Sequence, residues 1–131
     1  MTLDVILVED NAMNYELARD LLEAHGHRVR LAENGARFRE YLRGDVRPDL
    51  ILMDILLPDT DGVTLLGETR TSSFRTVPVV ALTAQASPQD IARFRSAGFD
   101  AIITKPIDTR AFPAQILRAV ELSRAKTAGA P

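Results

Sequence analysis

The amino-acid sequence predicts an α/β domain built on a doubly wound, five-stranded parallel sheet with helices on both faces. Three observations lead there. Five short apolar runs are rich in β-branched residues, segments with helical spacing separate them, and the chain has the size of one core. With 131 residues, 46% of them hydrophobic, it can bury roughly two thirds of its unfolded surface.

The first run, Leu3 to Val8, ends in Glu9-Asp10 and lacks a basic leader and a cleavage-type segment, so it reads as a strand and not a signal peptide. Met13, Leu17 and Leu21 recur every four residues, predicting a first helix over about 12–25 with those three on its apolar face and Gly26 as its C-terminal cap. A second strand covers Val29 to Ala32. Asn34 can cap a second helix that carries Phe38, Tyr41 and Leu42 and ends near Gly44. The third strand, Leu50 to Met53, runs into Asp54. A third helix from Gly62 to about Arg70 is the weakest, because Gly67 and three threonines lower its propensity.

The fourth strand is Val77 to Leu82. Ser87-Pro88-Gln89-Asp90 then supplies a cap, a proline at the first helical position and an acid in the first turn, for a fourth helix that stops before Gly98. Ala101 to Ile103 is the fifth strand. Asp108 or Thr109 can cap the last helix, with Phe112, Ile116 and Val120 on one face. Phe38, Tyr41, Phe112 and Ile116 read as core. The domain spans 3–123, and 124–131 reads as a frayed tail.

A formal net charge of −2 with 26% charged residues provides no positive field to draw the domain to nucleic acid or an anionic membrane. No cysteine is present, which excludes disulfides and thiolate metal sites. His25 and His27, read as surface residues around a turn, are too few for an imidazole metal site. No run approaches the roughly 18 apolar residues of a membrane span. A cytoplasmic location is expected.

In such sheets the functional crevice lies outside the carboxyl ends of the strands. Glu9-Asp10 stands at the end of the first, Asp54 of the third, Thr83 of the fourth and Thr104-Lys105-Pro106 of the fifth. Carboxylates held close repel one another unless a cation or a lysine balances them. A hard divalent ion such as Mg²⁺, which prefers oxygen ligands, fits that donor set. One ionised acid could then act as a nucleophile toward a phosphoryl group, with Glu9 and Asp10 on the metal. Lys105 and the Thr83 hydroxyl would contact phosphoryl oxygens, and the small Ala84 would leave access.

The set Val8-Glu9-Asp10-Asn11, Pro48 to Pro58 with Asp61-Gly62, Thr83-Ala84 and Thr104-Lys105-Pro106 resembles CheY-like response-regulator receivers, over about residues 3–123. The resemblance implies a flavodoxin-like strand order, 2-1-3-4-5. It implies that Asp54 is the phosphoacceptor and that Asp10 binds Mg²⁺ (or Mn²⁺) directly, with Glu9 reaching it through water. The backbone carbonyl of Leu56 is implied as a further ligand, Thr83 as the switch hydroxyl and Lys105 as the phosphate-contacting lysine. Lys105-Pro106 resembles the family's cis-proline turn. The implied partners are a histidine kinase or histidine phosphotransfer protein and a downstream protein target, in a two-component system or phosphorelay. The domain would catalyse only its own phosphorylation and dephosphorylation. Because the resemblance fills the chain, a stand-alone regulator or phosphorelay shuttle is expected.

One position departs from the common pattern. Many such receivers carry an aromatic residue three positions before the lysine, where this chain has Ile102, so an aromatic rotamer switch is not expected. Leu56 and Gln85 flank the route of an attacking water. A pseudo-receiver acting without phosphorylation is the alternative binding-module reading, and the complete acid set with Thr83 and Lys105 argues against it. An aspartyl phosphohydrolase of the haloacid dehalogenase type would carry a second acid two residues past its nucleophile, where this chain has Leu56.

Overall fold

Aliphatic strands that must be covered on both faces pair best in a parallel sheet between two helical layers. The computed structural model describes residues 2–128 and has that form. The strands are β1 (Asp4–Val8), β2 (Arg28–Ala32), β3 (Leu50–Asp54), β4 (Val79–Thr83) and β5 (Ala101–Thr104). Between and after them lie α1 (Ala12–Ala24), α2 (Gly35–Arg43), α3 (Gly62–Arg70), α4 (Pro88–Ala97) and α5 (Phe112–Ala128). All strand pairs are parallel, in the order β2-β1-β3-β4-β5.

The pleat sorts the core into two layers. Val5, Leu7, Leu50, Leu52, Val80, Leu82 and Ile103 pack with Ala18 and Leu22 of α1 and with Phe112, Ile116 and Val120 of α5. Their neighbours Ile6, Val8, Ile51, Met53, Val79 and Ala81 face the other way, against Phe38 of α2, Leu65 and Leu66 of α3 and Phe94 of α4. Phe94 and Phe99 meet edge to face, ring centroids 6.1 Å apart. Tyr41 packs at the margin of this layer and donates its hydroxyl hydrogen to the Leu31 carbonyl.

The caps form where the short polar residues stand. Asn11, Asn34, Asp61 and Ser87 each accept the N–H of the residue three positions on, opening α1, α2, α3 and α4. Gly98 ends α4 at φ 111°, a left-handed conformation that favours glycine. Before α5, the Asp108 carboxylate accepts N–H groups from Arg110 and Ala111 and its carbonyl accepts the Phe112 N–H at 2.9 Å, so Asp108 caps the turn that leads into the helix.

Several expectations are corrected. The buried face of α1 carries Ala18 and Leu22, while Met13 is 82% and Leu17 38% exposed. One helical residue turns the face by about 100°, so a stripe read from the largest apolar side chains misses the sheet by that angle. His27 is buried, and its Nδ1 accepts the Leu3 N–H at 3.1 Å. A polar side chain inside a turn can replace a missing backbone partner in this way. β4 begins at Val79 rather than Val77, because Val77 donates its N–H to the Phe74 carbonyl in a turn. α5 continues to Ala128, past the start of the expected tail, and 129–131 lie outside the described residues. Among the described residues no helix is long and apolar enough to cross a membrane.

Candidate functional site

Sheet register brings the strand-end residues together. Val8 lies opposite Met53, Asp54 opposite Leu82, and Thr83 opposite Thr104, so Glu9, Asp54, Thr83 and Lys105 fall on one rim. Ladder-type bonds extend one residue further, from Glu9 N–H to Ala32 O, Ile55 N–H to Leu82 O and Lys105 N–H to Thr83 O. The same alternation that places Leu7, Leu52 and Ile103 beneath α1 and α5 carries Glu9, Asp54 and Lys105 to that side of the sheet.

There the Lys105 ammonium lies 2.6 Å from Glu9 Oε1 and 3.0 Å from Asp54 Oδ2. Glu9 is fully buried and Asp54 nearly so. Glu9 Oε1 has the ammonium close by but no donor aligned along a hydrogen-bond direction. Burial, followed by the neighbouring Asp54 carboxylate, pushes the Glu9 carboxyl from its ordinary value up to about 7, against the pull of Lys105. Burial alone would lower the Lys105 ammonium. The two carboxylates outweigh that and hold it above the usual lysine range. The Lys105–Pro106 peptide is cis.

Asp10 is exposed beside them, and Glu9, Asp10 and Asp54 each offer a carboxylate oxygen within 4.8 Å of the other two. All-oxygen donors, one of them buried without an aligned partner, suit a hard divalent cation. With Asn11, Leu56, Thr83, Ala84, Gln85 and Lys105 they line a cavity of about 310 Å³. Hollows of about 370 and 400 Å³ at the opposite end of the strands are larger. The rim is singled out by its converging charge, not its size.

Every residue expected at the site is on this rim. Thr83 is buried, and its Oγ1 accepts the Gln85 N–H at 2.9 Å, which ties the hydroxyl to the loop leading into α4. Leu56, by contrast, is 65% exposed at the mouth. Asn11 serves chiefly as the α1 cap, accepting the Asn14 N–H at 3.1 Å.

Two further residues, one of them hidden from sequence reasoning, support the site. Gly62 sits so close to the chain after Asp54 that a Cβ would lie 2.5 Å from the Asp54 carbonyl oxygen. Asp59, in the loop after Asp54, bonds to the start of α2. The Asp-Gly pair at 61–62 is visible as a turn signal. Nothing local in the sequence marks the reach from Asp59 to a helix some two dozen residues away.

Residues 5–117 match the response regulator receiver domain family. The polar-differentiation response regulator DivK of Brucella anthropi is 41% identical over 113 residues, covering 86% of this chain and 91% of that protein. The protein of the same name from Brucella ovis is 40% identical over the same span. Among solved structures, the receiver domain of a signal transduction histidine kinase from Syntrophus aciditrophicus superposes with a TM-score of 0.79 at 31% identity, covering 90% of this chain and 89% of that one. The chemotaxis response regulator CheY4 of Vibrio cholerae gives a TM-score of 0.84 at 21% identity, covering 91% and 99%, a likeness of fold.

Proposed function

The chain belongs to the response regulator receiver domain family, and from that premise we propose that Asp54 accepts a phosphoryl group from a phosphohistidine donor and that the modified domain changes its affinity for a protein partner. The observation that carries the proposal is the ion-paired cluster of Glu9, Asp54 and Lys105 at the strand ends.

In the reaction an Asp54 carboxylate oxygen bonds to phosphorus as the P–N bond of the phosphohistidine breaks. The electron pair leaves on the imidazole nitrogen, which takes up a proton from water. Glu9, Asp10, Asp54 and the backbone carbonyl of Leu56 would hold Mg²⁺ or Mn²⁺. The cation would supply positive charge to the phosphoryl oxygens.

Lys105, already 3.0 Å from Asp54 Oδ2, is placed to follow the charge onto the new phosphoryl group. Thr83 receives a hydrogen bond from Gln85, and the return contact to the Gln85 carbonyl is long at 3.5 Å, so its own hydrogen is available to a phosphoryl oxygen. Receivers of this family are not general enzymes. Here the turnover would be confined to forming and hydrolysing the acyl phosphate at Asp54. A histidine kinase or histidine phosphotransfer protein would be the donor, in the cytoplasm.

The test is incubation with a small phosphodonor and Mg²⁺, followed by intact mass. One added phosphoryl group per chain, lost in Asp54→Asn, is the expected result. A modification that survives that substitution would place the acceptor elsewhere.

A further inference from the structure

The first turn of a helix leaves N–H groups without partners inside the helix. In α2 one of them is met locally, Arg37 N–H by Asn34 Oδ1 at 2.8 Å, while the Asn34 carbonyl accepts the first helical bond from Phe38 N–H. Two more are met from far along the chain. Gly35 N–H donates to Asp59 Oδ1 at 2.8 Å and Ala36 N–H to Asp59 Oδ2 at 3.0 Å, one to each carboxylate oxygen.

The seat depends on glycine. A Cβ at position 35 would lie 2.5 Å from Thr60 Cγ2 and 3.2 Å from Asp59 Oδ1. α2 is itself tied to α3 by the Arg39 guanidinium, which donates Nε and Nη2 hydrogens to the two Glu68 oxygens at 2.8 Å each.

Asp59 stands at the tip of the loop joining β3 to α3, and that loop closes on itself. Leu57 N–H donates to Thr60 O, Gly62 N–H donates to Ile55 O, and Leu56 bridges Asp61 in antiparallel fashion. At the base of the loop Leu56 N–H reaches Asp54 Oδ1 at 3.3 Å. A movement at the tip is therefore transmitted to Leu56 through a short, hydrogen-bonded turn. Asp59 does not line the cavity at the strand ends, so any effect it has there is indirect.

We propose that Asp59 is a positioning residue of the carboxylate site: anchored on the N-terminus of α2, it holds the β3–α3 loop, and with it Leu56, in place against Asp54. This rests on the reading of Glu9, Asp10, Asp54 and the Leu56 carbonyl as the holders of a divalent cation. The carboxylate is held below its usual range, chiefly by the Gly35 N–H, which keeps the anchor charged.

The test compares Mn²⁺ affinity, read from the free-ion paramagnetic resonance signal, in wild type, Asp59→Ala, Asp59→Asn and Asn34→Ala. Amide hydrogen exchange at Leu57 and Gly62 is followed in the same proteins. Asp59→Ala should weaken Mn²⁺ binding about tenfold, the lower end of what loss of an outer support costs a metal site, and should speed exchange at both amides. Asp59→Asn, which keeps one acceptor oxygen, should fall between it and wild type. Asn34→Ala removes the local cap of α2 without touching the loop and should leave Mn²⁺ affinity unchanged.

Wild-type affinity in Asp59→Ala would overturn the inference alone, as would an equal loss in Asn34→Ala, which would mean that only the stability of α2 matters. Failure of the wild-type protein to bind Mn²⁺ would overturn the cation-site reading and this inference with it.

Discussion

Glu9 shows how one residue couples the charge of the site to pH. Its carboxyl titrates at about 7 in the folded protein against an ordinary 4.5, so the folded state binds the proton more tightly than the unfolded chain. Its contribution to stability is therefore present at low pH and is lost as pH rises from about 4.5 through about 7. His27 has the opposite sign. Burial, chiefly, lowers its basicity, so its contribution is lost as pH falls below the ordinary histidine range.

The difference in stability between wild type and Glu9→Gln, measured by denaturant unfolding between about pH 4.5 and 8, isolates the Glu9 contribution and should decline from wild type's side as pH rises. A Mg²⁺ ion held as proposed would prefer the charged carboxylate, so any stabilisation by added Mg²⁺ should grow across the same interval. A flat difference curve would contradict the burial of an ionisable Glu9.

Leu56 offers a second residue-scale expectation. Its side chain is exposed in the cavity it shares with Asp54 and has no group that could hydrogen-bond an attacking water. Leu56→Asn should shorten the lifetime of the acyl phosphate proposed at Asp54, followed as loss of the added mass. Loss no faster than in wild type would refute that role.

At the scale of elements, α3 combines a sound start with a weak middle. Asp61 accepts the Thr64 N–H at 2.8 Å and caps it, yet Gly67 lies exposed in its interior, with nothing within 4 Å of where a Cβ would stand. Gly67→Ala adds no clash and removes unfolded-chain entropy. It should stabilise the protein by ~0.5–1 kcal/mol, roughly 2–4 °C in thermal midpoint. Scanning calorimetry checks this, and an unchanged or lower midpoint would show that the helix there needs glycine. Gly62 has the reverse situation, because the Asp54 carbonyl occupies the space its Cβ would need. The two glycines of one helix cannot be told apart by propensity, only by what packs against them.

Across the whole molecule, the route outward from the site starts at Thr83. If its oxygen turns toward a phosphoryl group, the Gln85 N–H loses its acceptor, and the loop from Ala84 to the Ser87 cap must rearrange where it enters α4. Ile102 on β5 packs against the layer that holds Phe94 of α4, so the movement has a neighbour to act on without an aromatic side chain at 102. Adding a phosphoryl mimic with Mg²⁺ should therefore shift the amide resonances of 84–87, α4 and β5. A face of α4, β5 and α5 unchanged by the mimic would sink the idea.

The order of strands and helices, the cover of helices on both faces and the strand-end residues Glu9, Asp10, Asp54, Thr83 and Lys105 were legible in the linear chain. Short β-branched runs, capping residues and the position of acids at strand ends are all local patterns. The sequence could not say which side of α1 meets the sheet, because the large side chains of Met13 and Leu17 outweigh the small Ala18 in any reading by hydrophobicity. Nor could it say that His27 turns inward to the Leu3 amide or that Asp59 reaches α2. The linear order of residues settles which chemical groups stand at the strand ends, since strand length and alternation place them. How those groups are charged and held is settled in the folded molecule alone, because burial and long-range hydrogen bonds exist only once the sheet and helices have come together.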